Sequence, residues 1–259
     1  MPPLNAMSIT AAFSDSPRAF ETIALDVPHA AQAGVTVLRV AFDFGVALDA
    51  NAFSVLADDE RARAARFLRH EDGVRFAATR TALREAIGES IGLPSARVCF
   101  RYDAAGRPSI VDGPAGFDFN VSHSGAYALI AIARARRVGV DIESKRATLD
   151  WRTLAEAVFA PQDWACVARL PEHAQLEAFF DVWTAKEALL KAIGIGITAG
   201  LDRFSVLGGT SRVPFVRSVE SQTPAPLDVH AYEAYWCEAP PGYAACIAWS
   251  KANTTSPNR

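Results

Sequence analysis

The run VGVDIES, Val138–Ser144, is apolar apart from two carboxylates, Asp141 and Glu143, and it constrains the fold more than any other stretch. Alternate positions of a strand share a face, so both carboxylates leave the strand on the same side. Like charges so placed oppose each other's ionisation, and a buried pair is tolerated best where a cation stands between them. An exposed strand end would carry the same D-x-E harmlessly, and short motifs often match by chance. Here the apolar residues ahead of it make the strand a buried one, which favours a metal site.

A second stretch, WTAKEALLKAIGIGI at Trp183–Ile197, spaces Glu187 and Lys191 one helical turn apart on one face. On a solvated helix such a pair is worth roughly 0.3 kcal/mol. The surroundings are strongly apolar, so this helix packs on both sides and the pair lines a cleft. Lys186, turned away by about 100°, is expected in solvent. Gly194 and Gly196 break the helix.

The third stretch, FNVSHSGAYALIAIA, sets Ser122, His123, Ser124 and Gly125 ahead of a greasy strand. It lacks a G-x-S-x-G elbow, and neighbours on a strand point opposite ways, so Ser122 and His123 form no hydrolase relay. Either His123 is structural, or hydroxyl, imidazole and glycine-freed amides together bind an anion. Arg107 sits in the turn AAGRPSI. Arg61, Arg63, Arg66, Arg69, Arg75, Arg80 and Arg84 crowd two early helical stretches. A solvated face accounts for several of them; others are placed to wall a phosphate site.

Around these stretches, GVTVLRVAFDF reads as a strand and Asp58-Asp59-Glu60 as a helix start. Phe76, Leu83, Ile87 and Ile91 share a helical face that Gly92 and Pro94 end. ARVCFRYDAAGRPSI is a strand, a turn at Ala105-Gly106 and a strand. AYALIAIA and RRVGVDIE read as a strand pair joined by the basic turn Arg134–Arg137. TLAEAVFAPQDWACVARL and AQLEAFFDVWTAKEALLKAIG are helical, and strands near Phe204–Leu207, Val229–Trp236 and Ala244–Trp249 follow. The order predicts an α+β fold of two similar α/β lobes packed as a pseudo-dimer. The expected divisions are an irregular arm (1–33), an N-terminal lobe (34–135), a C-terminal lobe (136–250) and a tail (251–259).

A net charge of −3 supplies no global field for nucleic acid. No apolar run reaches a membrane span, and the first residues lack a secretory pattern. Cys99, Cys166, Cys237 and Cys246 form no CxxC pair and read as reduced thiols of a cytoplasmic protein.

Carboxylates, a lysine, a histidine and arginines together describe a polyphosphate site. The ordered set ERARAARFLRHEDGVRF, GRPSI, FNVSHSG, VGVDIE and WTAKEALLKAIGIGI resembles the 4′-phosphopantetheinyl transferases of the two-lobed, surfactin-synthetase-activating kind, over roughly Val35 to Trp249. That resemblance implies transfer from coenzyme A to a serine of an acyl, aryl or peptidyl carrier protein, with release of 3′,5′-adenosine bisphosphate, by a monomer. It implies Mg²⁺ held by Asp141, Glu143 and Glu187, Glu187 as base, and Lys191 neutralising the diphosphate. It also implies coenzyme A contacts from Arg63, Arg69, Arg107, Ser122 and His123, with Glu60 standing where relatives carry a basic residue. Phe159, Trp164 and Leu170 are either core or a docking surface for the carrier. The rival readings are a metal-dependent phosphohydrolase of coenzyme A or nucleotides, and a non-catalytic carrier-binding module. A module would be free to lose a carboxylate or the lysine, and this chain keeps all four.

Overall fold

The central strands of the chain are apolar on both faces because two sheets pack on each other and each is also covered by a long helix. A computed structural model describes residues 19–103, 106–195, 200–208, 214, 217–218 and 227–252. In chain order the first half holds β1 (Phe20–Ala24), α1 (Pro28–Gln32), β2 (Val35–Phe42), α2 (Asp58–Ala64), α3 (His70–Ile91), β3 (Phe100–Tyr102), β4 (Pro108–Ile110), β5 (Phe117–Ser124) and β6 (Tyr127–Arg134). The second half holds β7 (Val138–Ser144), α4 (Trp151–Val158), α5 (Pro161–Val167), α6 (Glu172–Ile193), β8 (Phe204–Ser205), β9 (Arg217–Ser218), β10 (Tyr232–Trp236) and β11 (Tyr243–Ser250). The mixture of helices and antiparallel sheets is the expected α+β class.

The two main sheets run β1-β2-β6-β5 and β10-β11-β7. Each half repeats one plan: a strand, a 22-residue helix, then a hairpin whose second strand returns beside the first strand. Thus β2-β6-β5 and β7-β11-β10 have the same order. Alternation then divides the core into layers. Leu129, Ala131 and Ala133 of β6 meet Val138, Val140 and Ile142 of β7 and Ile247 and Trp249 of β11 between the sheets. Ala128, Ile130 and Ile132 face Leu83 and Ile87 of α3. Ala244, Cys246 and Ala248 face α6.

Where the sheets meet, β7 presents a free edge, and unpaired strand N–H groups need acceptors. Side chains of β5 supply them in a parallel register twenty residues apart. Asp118 Oδ2 accepts from Val138 N at 2.9 Å, Asn120 Oδ1 from Val140 N at 3.0 Å, and Ser124 Oγ from Ser144 N at 3.1 Å.

Four expectations need correction. β6 and β7 are not a hydrogen-bonded pair: β6 lies between β2 and β5, while β7 pairs with β11. Apolarity on both faces reports burial and carries no information about the partner, and the turn after β6, with Ala135 at φ 61°, takes the chain into the other sheet. The arm is regular from residue 20, because β1 pairs antiparallel with β2 through its backbone. Its side chains are mostly exposed, which is why no periodicity marks it. The helical stretch after β7 splits at Phe159-Ala160, where Pro161 starts α5 and removes an N–H from any continuous helix. Lys186 is fully buried, paired with Asp163. Residues 1–18, Ala105, Gly196–Ile197 and the tail from 253 lie outside the described residues. No helix among the described residues is long and apolar enough to cross a membrane.

Candidate active site

Glycine at position 139 lets β7 and α6 approach closely: a Cβ there would collide with the backbone of Ala188, Lys191 and Ala192. That contact sets Asp141, two residues on, against Lys191 and Glu187. Asp141 Oδ1 accepts from Lys191 Nζ at 2.6 Å and from Ser122 Oγ at 2.8 Å. Lys191 Nζ also donates to Ser122 Oγ and to Val140 O, each at 3.2 Å. Glu143 Oε2 accepts from Ser124 Oγ at 2.8 Å. The side chains expected to share a face therefore meet, and β5 contributes its two serines.

Asp141 is 2% exposed and Glu187 5%. Within this burial Asp141 Oδ2 and Glu187 Oε1 have no hydrogen-bond donor. Such groups are rare and costly when buried, so each marks a place where a partner belongs. Burial raises the Glu187 carboxyl to about 7; Lys191 opposes the rise, and Asp141 and Glu143 add to it. Burial and the Asp141 charge also raise Glu143, against the Ser124 hydrogen bond.

Three carboxylates with two donorless oxygens fit a hard divalent cation. Among the described residues, however, no group of three or more His, Cys, Asp or Glu side chains stands close enough to hold an ion as placed. The physical reason is local. Lys191 and Ser122 take Asp141 Oδ1, and Ser124 takes Glu143, so the acidic group is a neighbourhood and not a formed cage.

His123, adjacent to Ser122, points to the opposite face of β5. It lines a cavity of about 580 Å³ with Arg63, Thr79, Arg80, Tyr102 and Val121. Partial burial, Arg75 and Lys191 lower its pKa, against a rise from its backbone hydrogen bond and Asp72. Arg63 stacks over Phe76 at 4.8 Å. Arg80 is held by Glu60 (3.5 Å), donates to the Tyr102 hydroxyl (2.8 Å) and lies over Phe100 at 4.6 Å. Its Nη1 and the Thr79 hydroxyl are buried without partners. This is a cationic pocket with unsatisfied donors, the complement of the acidic cluster across the strand. Spacing does not single out Arg80 and Tyr102. The available signal is Arg80 and Arg84, four apart on one helical face, with the acid they both reach, Glu60, supplied by α2.

Other expected residues fall elsewhere. Arg69 is exposed at the start of α3 and does not line the cavity. The Arg107 guanidinium turns away from it into the seam between the sheets, where it meets Asp118 at 2.7 Å, Val138 O at 3.0 Å and Lys191 O. Phe159 is core, stacked edge-on with half-buried Trp164 at 5.1 Å, while Leu170 is exposed. Lys186 pairs with Asp163 at 2.6 Å and donates to Val158 O and Leu201 O. The rotation by helix geometry is right, but α6 is covered on that side too, so the side chain enters the core instead of water.

Two family profiles match this chain. Residues 137–248 match the 4′-phosphopantetheinyl transferase superfamily, and residues 49–135 match a 4′-phosphopantetheinyl transferase N-terminal region. It is 40% identical over 146 residues to the 4′-phosphopantetheinyl transferase HetI of Nostoc sp. (strain PCC 7120 / SAG 25.82 / UTEX 2576), covering 56% of this chain and 62% of that protein. A 4′-phosphopantetheinyl transferase of Bacillus subtilis is 30% identical over 154 residues, 59% of this chain and 66% of the relative. The 4′-phosphopantetheinyl transferase psf-1 of Bacillus pumilus is 30% identical over 190 residues, 72% of this chain and 80% of the relative. The match spans about three fifths of the length of HetI. With both halves matched in order, the chain belongs to the 4′-phosphopantetheinyl transferase family.

Proposed function

We propose that this protein transfers the 4′-phosphopantetheine group of coenzyme A to a serine of an acyl, aryl or peptidyl carrier protein. One observation carries the reading: buried Asp141 and Glu187, each with a donorless oxygen, stand beside Lys191, and across β5 lies a cavity lined by Arg63, Arg80 and His123. A diphosphate with a further phosphate needs both halves, cations for its charge and carboxylates for a metal and a proton. The names of the relatives point to the same chemistry.

In this reading Arg63, Arg80 and His123 hold nucleotide phosphate, and Ser122 and Lys191 contact the diphosphate. Asp141, Glu143 and Glu187 would hold Mg²⁺, which when bound neutralises diphosphate charge and suits few carboxylates combined with phosphate oxygens. The carrier serine oxygen bonds to the β-phosphorus as the bond from that phosphorus to the bridging oxygen breaks. The electron pair leaves with 3′,5′-adenosine bisphosphate. The serine proton passes to Glu187, directly or through one water; burial raises this carboxyl, which strengthens it as a base. Lys191 offsets charge on the leaving group. Positioning and charge stabilisation supply most of the acceleration, as in phosphoryl transfer generally.

The lobes are taken as 34–135 and 136–250, since the chain crosses from one sheet to the other after β6. The enzyme acts as a monomer, both lobes coming from one chain, in the cytoplasm, where its free cysteines stay reduced. The test is mass spectrometry of a panel of apo carrier domains after incubation with protein, coenzyme A and Mg²⁺. Gain of the phosphopantetheine mass on a serine is expected. Cleavage of coenzyme A with no carrier present would point to a phosphohydrolase.

A further inference from the structure

The Arg107 guanidinium is directed at the protein itself. Its backbone N–H is fixed by Asp103 Oδ1 at 2.8 Å, which orients the turn between β3 and β4. From there the guanidinium reaches three other elements. Nη2 donates to Asp118 Oδ2 on β5 at 2.7 Å and to Val138 O on β7 at 3.0 Å, and Nη1 donates to Lys191 O on α6. The side chain is only 13% exposed. Asp118 joins the group from the other side, accepting from Val138 N at 2.9 Å and lying 3.7 Å from Arg137.

The position on α6 matters. The last carbonyls of a helix have no intrahelical donor and carry partial negative charge. At the end of α6, Gly194 and Ile195 both donate to Leu190 O, so that among the described residues no backbone N–H of the helix end is given to the Lys191 carbonyl. Arg107 is its partner. The same residue, through its side chain, holds Asp141 and Ser122. Lys191 is thus gripped at both ends: by a guanidinium on its carbonyl and by a carboxylate on its ammonium.

We infer that Arg107 is a positioning residue, which sets Lys191 and the end of α6 against β7 through the Lys191 carbonyl and Asp118, without touching the substrate. A planar fork is needed, because three acceptors on three elements must be met at once; a lysine keeps the charge and loses the geometry. Its catalytic consequence rests on the proposed transfer reaction, and the mechanical tie does not.

The experiment uses the full chain with Arg107→Ala and Arg107→Lys, in the wild type and in Lys191→Ala. Hydrogen exchange is read first. The tie predicts faster exchange at residues 187–195 in both Arg107 variants, with the first half of α6 and the β2–β6 pair unchanged. Kinetics follow with an apo carrier that the wild type modifies. Arg107→Ala is expected to lower kcat about tenfold with the KM for coenzyme A nearly unchanged, and Arg107→Lys to recover little. In Lys191→Ala the same change should cost less than twofold, because its effect acts through that lysine. A rise in KM with kcat intact, full losses in both backgrounds, or unchanged exchange at 187–195 would each overturn the inference. If Arg107→Ala does not fold, Arg107→Lys carries all three readings. If the wild type transfers nothing, the transferase reading falls, while the exchange measurement still decides the tie.

Discussion

Two lysines five residues apart on α6 each pair with a buried aspartate, and their surroundings separate structure from chemistry. Lys186 and Asp163 form a closed pair. Asp163 also accepts from Ala160 N, Ser205 Oγ, Val206 N and Leu207 N, Lys186 meets two carbonyls, and neither side chain touches solvent. Lys191 and Asp141 form an open pair. The lysine side chain is 28% exposed, and Asp141 Oδ2 and the neighbouring Glu187 Oε1 lack donors. A fully satisfied ion pair can only hold elements together, here the ends of α4 and α5 to α6. An unsatisfied one, open to solvent at one end, has capacity left for a ligand.

The comparison breaks most visibly if the closed pair is cut. Lys186→Ala leaves a buried, unpaired carboxylate and is expected to cost about 3–5 kcal/mol of stability, read by denaturant melts. A loss within experimental error would mean that Asp163 is satisfied without the lysine. Glu187→Gln tests the open side by keeping shape and removing the proposed base. It should lower the transfer rate about a hundredfold while leaving the fold intact. Without Mg²⁺ the Glu187 carboxyl should titrate near 7, read by carboxyl NMR, and added Mg²⁺ should move that titration down, because a nearby cation favours the charged form.

A smaller effect concerns the cavity. Arg80→Ala and Arg63→Ala each remove a cation from the cavity proposed to take nucleotide phosphate, and should raise the KM for coenzyme A about tenfold with little change in kcat. Smaller still is a slope in stability. The folded pKa of Glu187 is raised, so its contribution is fully present below the unfolded carboxylate range and lost as pH rises toward 7. Stability should therefore fall over that window, and Glu187→Gln should flatten part of the fall.

What the sequence makes legible follows from the range of each interaction. Asp141 with Glu143 and Glu187 with Lys191 are pairs within one element, fixed by strand and helix periods, and the structure unites them as those periods require. The direction of Lys186 is equally local. Its burial is not, since Asp163 reaches it from another helix. Arg107 lies 84 positions from Lys191 and 31 from Val138, and no local spacing encodes either contact. The pairing of β7 with β11 is hidden for a related reason: a strand apolar on both faces declares that it is buried and is silent on its neighbour. β1 leaves no pattern at all, being held by backbone hydrogen bonds with its side chains mostly in water.

The most direct test of the open pair is the transfer rate of Asp141→Ala, normalised to folded protein, on a carrier that the wild type modifies. At least about a hundredfold loss per folded molecule is predicted. Transfer at the wild-type rate with limiting Mg²⁺ would contradict the account.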